Sequence, residues 1–284
     1  GRRRPRSVRH VQQELRIGCG QRGETAVAHR LAQANLALAH ELGSSELIRY
    51  GRLGMGVVSH TEGELDLARA HFDQAIGQHA AQSGAFDPLF FDNALQASLR
   101  HSALTLLFSC YPDQTHALIC QALAIGRESP QSIRYAITLY FAAMLHHYLG
   151  EVEEVRLRAE EIKSLSTAYG FAYYLAAALM FEGWALAAHG KVAEGADQLR
   201  QGLDMRKASG HRLFLPYELG LLAEACVMGQ DAAGGLEVLQ EALAVADRTG
   251  ERVWQAELLR LQAELLAVQG APAVEIEANC LQAI

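Results

Sequence analysis

The sequence predicts an all-α fold, a right-handed superhelical solenoid of antiparallel helix pairs with a repeat of about 40 residues. Three observations predict it. Glycines keep a fixed beat: Gly150, Gly190 and Gly270 are separated by 40 or 80 residues, and Gly170, Gly210 and Gly250 fall halfway between. Each closes an apolar, alanine-rich segment of about 18 residues, the pattern of a helix ended by a glycine C-cap. Composition agrees, since half of the 284 residues are hydrophobic, only 7% are aromatic and six are proline. Alanine and leucine supply the excess, and they favour helix over sheet. A fixed period of this kind marks a stacked array, in which each unit buries its apolar face only against its neighbours.

The elements follow in order. Helices are expected at 8–20 and 24–42 as an irregular first pair, then at 45–61 with 64–80, 89–109 with 112–127, and 131–149 with 151–169. The series continues with 171–189 and 192–209, 213–229 and 232–249, a long helix over 252–269, and a short one from 273. Residues 1–22 form a basic, poorly matched segment and 23–284 the repeat domain. Where two helices of a pair cross closely, the first needs a small side chain. Gly56, Ala103, Ala143, Gly183, Ala223 and Ala263 stand at that point, 47 residues apart at the first step and 40 thereafter. The seven extra residues fall around Gly84 to Pro88, where SGAFDP reads as a longer loop. An amphipathic pattern still runs at Ile284, where a solenoid end would carry a polar cap, so the chain is expected to be part of a longer protein.

Charge and cysteine usage narrow the function classes. The net charge is −7, and Arg2, Arg3, Arg4, Arg6 and Arg9 crowd the first ten residues, leaving −12 on the remainder. An acidic body argues against nucleic acid as the main partner, because neutralising phosphate needs a basic face. The arginine-rich start reads as a frayed tail or the edge of a fragment rather than a nucleic-acid arm or targeting signal. Cys19, Cys110, Cys120, Cys226 and Cys280 are scattered without a CxxC, as expected of a reducing compartment. No apolar run reaches a membrane span; the strongest, from Tyr173 to Leu186, is interrupted by Glu182. With no signal-peptide pattern either, a cytoplasmic location is expected.

The repeats carry a resemblance. From Arg52 to Ala75, Met55-Gly56 matches the leucine-glycine pair of the tetratricopeptide repeat family, Gly63 its turn glycine, and Ala68, Phe72 and Ala75 its second-helix packing residues. Other repeats depart from the pattern: Gly195 and Gly235 stand where alanine is usual. The family's usual repeat is 34 residues, so a longer one implies extended helices. Segments such as FEGWALAAHGKVAEGADQLRQGL resemble the C-terminal repeat region of bacterial signalling proteins in which a cyclase or other output domain precedes an AAA- or STAND-type ATPase. That similarity is dense from Tyr111 to Gly270 and weak before Gly23. It implies a regulatory interaction module, with no catalytic domain in this chain.

Sites for chemistry do not emerge. The one Gly-Lys pair, Gly190-Lys191, is followed by Val192, so it reads as an inter-helix turn rather than a phosphate loop. Gly54-Met55-Gly56 lies within a helix, which excludes the strand-end setting of dinucleotide binding. His146 and His147 are adjacent and point to different sides of a helix, and neither HExxH nor a cysteine–histidine quartet exists, so no metal site is expected. His60 and His147 share a repeat position expected to face the groove. The carboxylates Glu151, Glu153, Glu154, Glu160 and Glu161, interleaved with Arg156 and Arg158, read as a solvated face. No nucleophile–base set is visible, and no cofactor is expected.

A binding groove is the remaining candidate. By the register, the first helices present Tyr50, Arg100, Tyr140, Met144, His147, Met180, Trp184, Tyr217, Glu224, Arg260 and Glu264 to the inner surface. Aromatic residues and methionines suit an interface; equally, they suit packing between neighbouring helices. The basic residues of a carboxylate clamp are lacking, since only Arg100 is basic at the matching positions. The expected partners are a protein, a peptide or other domains of the same polypeptide, with neither nucleic acid nor membrane. The alternative is a small-molecule inducer-sensing repeat domain of an ATP-dependent transcriptional activator, which an enclosed apolar pocket near Trp184 would favour.

Overall fold

The computed structural model describes residues 24–80, 93–128 and 132–283, and every regular element among them is helical. In chain order these are α1 (Thr25–Glu41), α2 (Ser45–Thr61), α3 (Leu65–Ala80), α4 (Ala94–Phe108), α5 (Pro112–Glu128), α6 (Ser132–Tyr148) and α7 (Val152–Tyr169). Then come α8 (Ala172–Ala188), α9 (Val192–Ala208), α10 (Leu215–Met228), α11 (Ala232–Thr249), α12 (Gln255–Gln269) and α13 (Ala273–Gln282), with a 3-10 turn over Arg252–Trp254 leading into α12. The expected helix over 8–20, the arginine-rich start, Cys19, and the longer loop around Gly84 to Pro88 lie outside the described residues. The chain divides into two compact units, 1–145 and 146–284, so the end of α6 belongs to the second.

The helix ends explain the glycine beat. Gly150, Gly170, Gly190, Gly210, Gly250 and Gly270 all take left-handed backbone angles, with φ between 72° and 84°. At the first of these turns the Gly150 N–H donates to the His147 carbonyl at 2.9 Å and the Glu151 N–H to the His146 carbonyl at 2.9 Å. Those bonds satisfy carbonyls that the helix end would otherwise leave without partners. The same turn continues where no glycine marks it. Cys110 (φ 63°) and Gln230 (φ 57°) occupy the beat 40 residues from Gly150 and Gly190, with equivalent hydrogen bonds. A side chain in this region is crowded by its own carbonyl. Gln230→Gly is therefore expected to raise stability by roughly 0.5–1 kcal/mol, after allowing for the extra freedom of glycine in the unfolded chain. A thermal melt that moves down would count against it.

In the first unit, α2 and α3 cross where the Phe72 ring fills the space a Cβ on Gly56 would need, its Cδ1 only 2.7 Å from that point. Met55 and Val58 pack on Ala28 and Ala32 of α1. Between α4 and α5, Thr115 Oγ1 lies 3.1 Å from the carbonyl of Ala103. The buried Gln96 amide donates to the Ala122 carbonyl at 3.3 Å and to Thr138 Oγ1 at 2.9 Å, tying α4 to both α5 and α6. His101 is sandwiched between Phe72, stacked at 6.0 Å, and Phe141, edge-on at 4.6 Å.

The second unit holds its closest helix crossing between α8 and α9. A Cβ on Gly183 would sit 2.7 Å from the Gly195 carbonyl oxygen; one on Gly195 would overlap the Gly183 carbonyl oxygen and sit 2.7 Å from Ala187 N. Two turns on, Gly202 leaves no room against Met180 and the Ala176 carbonyl. Glycine replaces the usual alanine at 195 because backbone meets backbone there. Gly195→Ala is expected to lose about 1–3 kcal/mol through overpacking, which outweighs the gain in helix propensity. Gly77→Ala, in open space on α3, is the internal control and is expected to gain roughly 0.5–1 kcal/mol. Equal shifts in urea midpoint for the two variants would contradict the packing argument.

The six small crossing positions are all buried. Two expected boundaries shift. The helix expected from 213 starts at Leu215, because Phe214 takes a left-handed conformation (φ 67°) and its N–H donates to Glu251 Oε2 at 3.0 Å. The same carboxyl accepts the Trp254 indole N–H at 3.0 Å, and the helix expected from 252 begins there as a 3-10 turn.

Candidate functional site

In the second unit α10 packs between α8 and α12. These are the first helices of successive pairs, and His147 and Tyr148 at the end of α6 reach the same side. The 3.6-residue period brings Tyr217 and Glu224 of α10 onto one face, two turns apart. His147 Nε2 lies 2.7 Å from Glu224 Oε2. An ionised carboxylate only accepts, so Nε2 carries the proton. His147 Nδ1 has no hydrogen-bond partner. The imidazole meets Trp184 edge-on at 4.7 Å and Tyr217 at 5.6 Å. Tyr217 in turn contacts Tyr148 at 5.7 Å and Trp254 at 5.3 Å. Its hydroxyl is buried and has no hydrogen-bond partner.

Charged groups rim this aromatic floor. Arg260 holds Glu257 through two bonds of 2.7 and 2.6 Å and Glu264 through one of 2.5 Å. Burial pushes the Glu224 carboxyl up, but the His147 hydrogen bond, the nearby Trp184 indole N–H and the Arg260 charge outweigh it and hold the group below the usual carboxylate range. The Trp184 N–H falls short of full hydrogen-bond geometry. Burial raises the Tyr148 and Tyr217 phenols well above their ordinary value, and the Glu257 and Glu224 charges push the same way. Tyr148, Tyr217, Glu224, Trp254, Glu257 and Leu261 line a cavity of about 10 Å³, room for about one water molecule.

The expected groove residues fare unequally. His147, Trp184, Tyr217 and Glu224 come together here. Arg100, Tyr140, Met144 and Met180 are buried to within 4% and lie apart from this cluster; Trp184 and Tyr217, each 3% exposed, are as deeply buried, so the open part of the site is its charged rim. Arg100 lies over the Phe141 ring at 5.5 Å. His60, expected to face the groove, is instead 3% exposed; its Nδ1 lies 3.0 Å from Thr105 Oγ1, and it stacks on Phe108. The physical reason is close stacking: a first helix flanked on both sides by others buries most of its circumference, so little of the inner stripe stays open. Glu224 and Glu264 stay partly open or exposed, and so does Arg260. Tyr148, Trp254 and Glu257 complete the site without a motif of their own. Glu257 stands one 40-residue repeat after Tyr217 and Glu264 one repeat after Glu224, a register signal that could have found them.

Among the described residues, no group of three or more His, Cys, Asp or Glu side chains converges as a metal would require. Cys110, Cys120, Cys226 and Cys280 are free thiols. No helix among the described residues is long and apolar enough to cross a membrane.

Solved structures with the same arrangement of helices exist. A Rap protein complexed with competence and sporulation factor matches 90% of this chain and 68% of its own at a TM-score of 0.65 and 14% identity. The fold is tetratricopeptide-like. The apo form of RapI matches 82% of each chain at a TM-score of 0.54 and 14% identity. Aspartyl phosphate phosphatase F from Bacillus subtilis matches 88% of this chain and 64% of its own at a TM-score of 0.55 and 13% identity. No family model and no curated sequence matches the chain. At these identities the likeness concerns the fold alone, a tetratricopeptide-like stack of helix pairs.

Proposed function

We propose that the chain is a protein- or peptide-binding repeat module whose contact face lies on α8, α10 and α12 with the end of α6. The single observation that carries this reading is the rim of partly exposed charges over a floor of rigid aromatic rings. Glu224 and Glu257 border a cavity with Tyr217 and Trp254, Arg260 joins Glu257 to Glu264, and His147 links Glu224 to Trp184. The rings, 2–3% exposed, back the rim rather than face a partner, and charged rims select partners and orient them. One solved structure of this fold, which matches 90% of this chain, is a Rap protein complexed with competence and sporulation factor, which favours a binding role for such a stack. By its sequence resemblance, the module would serve a multidomain bacterial signalling protein, transmitting partner binding to an ATPase and a cyclase or transcriptional output. The cavity of about 10 Å³ is too small for an inducer, since small-molecule sites run to about 300 Å³ or more, and the hollow of about 550 Å³ beside Glu160, Lys163 and Glu182 lies open at the surface rather than enclosed.

Selection of a random-peptide display library against the full chain tests the reading. Peptides should converge on a shared motif, and Glu257→Lys should weaken their binding at least about tenfold, because it reverses a rim charge. Failure of any motif to emerge, or binding indifferent to the substitution, would reject the assignment.

A further inference from the structure

We infer that the cavity between the end of α6, α10 and α12 is a subsite for a primary ammonium group, delivered by a lysine side chain of a bound peptide. This inference rests on the peptide-binding reading and adds the chemistry of the anchor. Size comes first. The space is about 10 Å³, and an ammonium head occupies about the volume of the water that such a cavity holds. A planar guanidinium or a quaternary ammonium exceeds it.

Charge comes second. Glu224, Glu257 and Glu264 stand with Arg260 as their nearby guanidinium, leaving a net of −2 on the rim. An ammonium carries three donors and no acceptor, and three of the residues that line the cavity carry acceptor oxygens. Glu224 and Glu257 supply carboxylate oxygens. The Tyr217 hydroxyl, 3% exposed and without a partner, supplies another acceptor. A buried polar group left unpaired is rare enough to need an explanation. The walls come third: the rings of Tyr148, Tyr217 and Trp254 border the cavity, and aromatic faces attract a desolvated cation.

The chain contains two tryptophans, Trp184 and Trp254, and both adjoin this site, so intrinsic fluorescence reads it directly. Titration of the full chain with acetyl-Ala-Ala-Lys-Ala-Ala-amide should give a saturable change. The same peptide with norleucine for lysine should give none. Tyr217→Phe should weaken the lysine peptide about fivefold or more, the worth of one hydrogen bond, with an unchanged melting temperature. Glu224→Gln should weaken it further. Equal binding of the norleucine peptide, silence from both, or an undiminished Tyr217→Phe would overturn the inference. Binding of n-butylammonium as tight as that of the peptide would overturn the peptide source. Display-selected peptides that bind without lysine dependence would sink this inference alone and leave the interaction-module reading standing.

Discussion

Arg206→Met is expected to destabilise the second unit by about 3–5 kcal/mol, because it strands a carboxylate in the interior. Arg206 and Glu218 are 0% and 1% exposed at their side chains. The Arg206 Nε–H is shared by both Glu218 oxygens, at 2.8 and 2.7 Å. Nη2 donates to the Leu213 carbonyl at 2.9 Å, and the guanidinium lies 3.8 Å from the centre of the Tyr173 ring. One side chain at the end of α9 thus fixes the loop, the start of α10 and the first turn of α8. Removing the cation leaves Glu218 without its counter-ion, so the loss is the desolvation penalty of an orphaned charge and not the net worth of the pair. The double variant Arg206→Met/Glu218→Leu should recover most of the loss. Urea unfolding of the single and double variants checks both statements. A single variant within 1 kcal/mol of the parent, or a double variant no better than the single, would show that the pair is not what holds this corner.

The two units are expected to answer acidification in opposite directions. In the first unit, burial lowers the His60 imidazole from 6.5 to about 4, and burial, with Arg100 and His60 nearby, takes His101 well below the ordinary value. The unfolded chain therefore takes up a proton before the native one. Stability from His60 is complete above pH 6.5 and falls as pH drops toward 4, by about 3 kcal/mol in all. In the second unit, burial raises the Glu251 carboxyl from 4.5 to about 7, against the hydrogen bonds from Trp254, Phe214 and Thr249. Here the native state holds its proton longer than the unfolded one. Its contribution is complete below pH 4.5 and is lost as pH rises through 7, again by about 3 kcal/mol. Hydrogen exchange followed peptide by peptide at pH 5 and pH 7.5, corrected for intrinsic rates, separates the units. Acid should lower protection around α2–α4 and raise it around α10–α12. His60→Asn should weaken the first response, leaving the share that His101 carries, and Glu251→Gln should flatten the second. Matching responses in both units would contradict the assignment.

The architecture was largely legible in the chain. Helix lengths and their ends follow from apolar periodicity and from glycine at left-handed positions, both of which are local properties. A left-handed turn at Cys110 and Gln230 was not, because neither residue advertises it; the stacked repeats impose that conformation against local preference. Small residues at the crossing points also stand out by register, from Gly56 to Ala263. What they face does not. Gly195 and Gly77 look alike as helical glycines, yet one meets the backbone of α8 and the other open space.

The candidate site divides the same way. Tyr217, Trp184 and His147 carry residue types suited to binding, and the register places them on one stripe. Whether a side chain on that stripe is covered depends on how tightly its neighbours stack. That tightness buries Met144 and Met180 completely and leaves Glu224 and Glu257 at a rim. Pairings between residues far apart in the chain, such as His147 with Glu224 or Phe214 with Glu251, depend on distances that no periodicity encodes. By itself the sequence determined the helix, its period and its punctuation, since these are set within a few residues. Burial, charge pairing and the shape of the cavity were decided only by the tertiary structure, because each depends on atoms brought together from separate repeats.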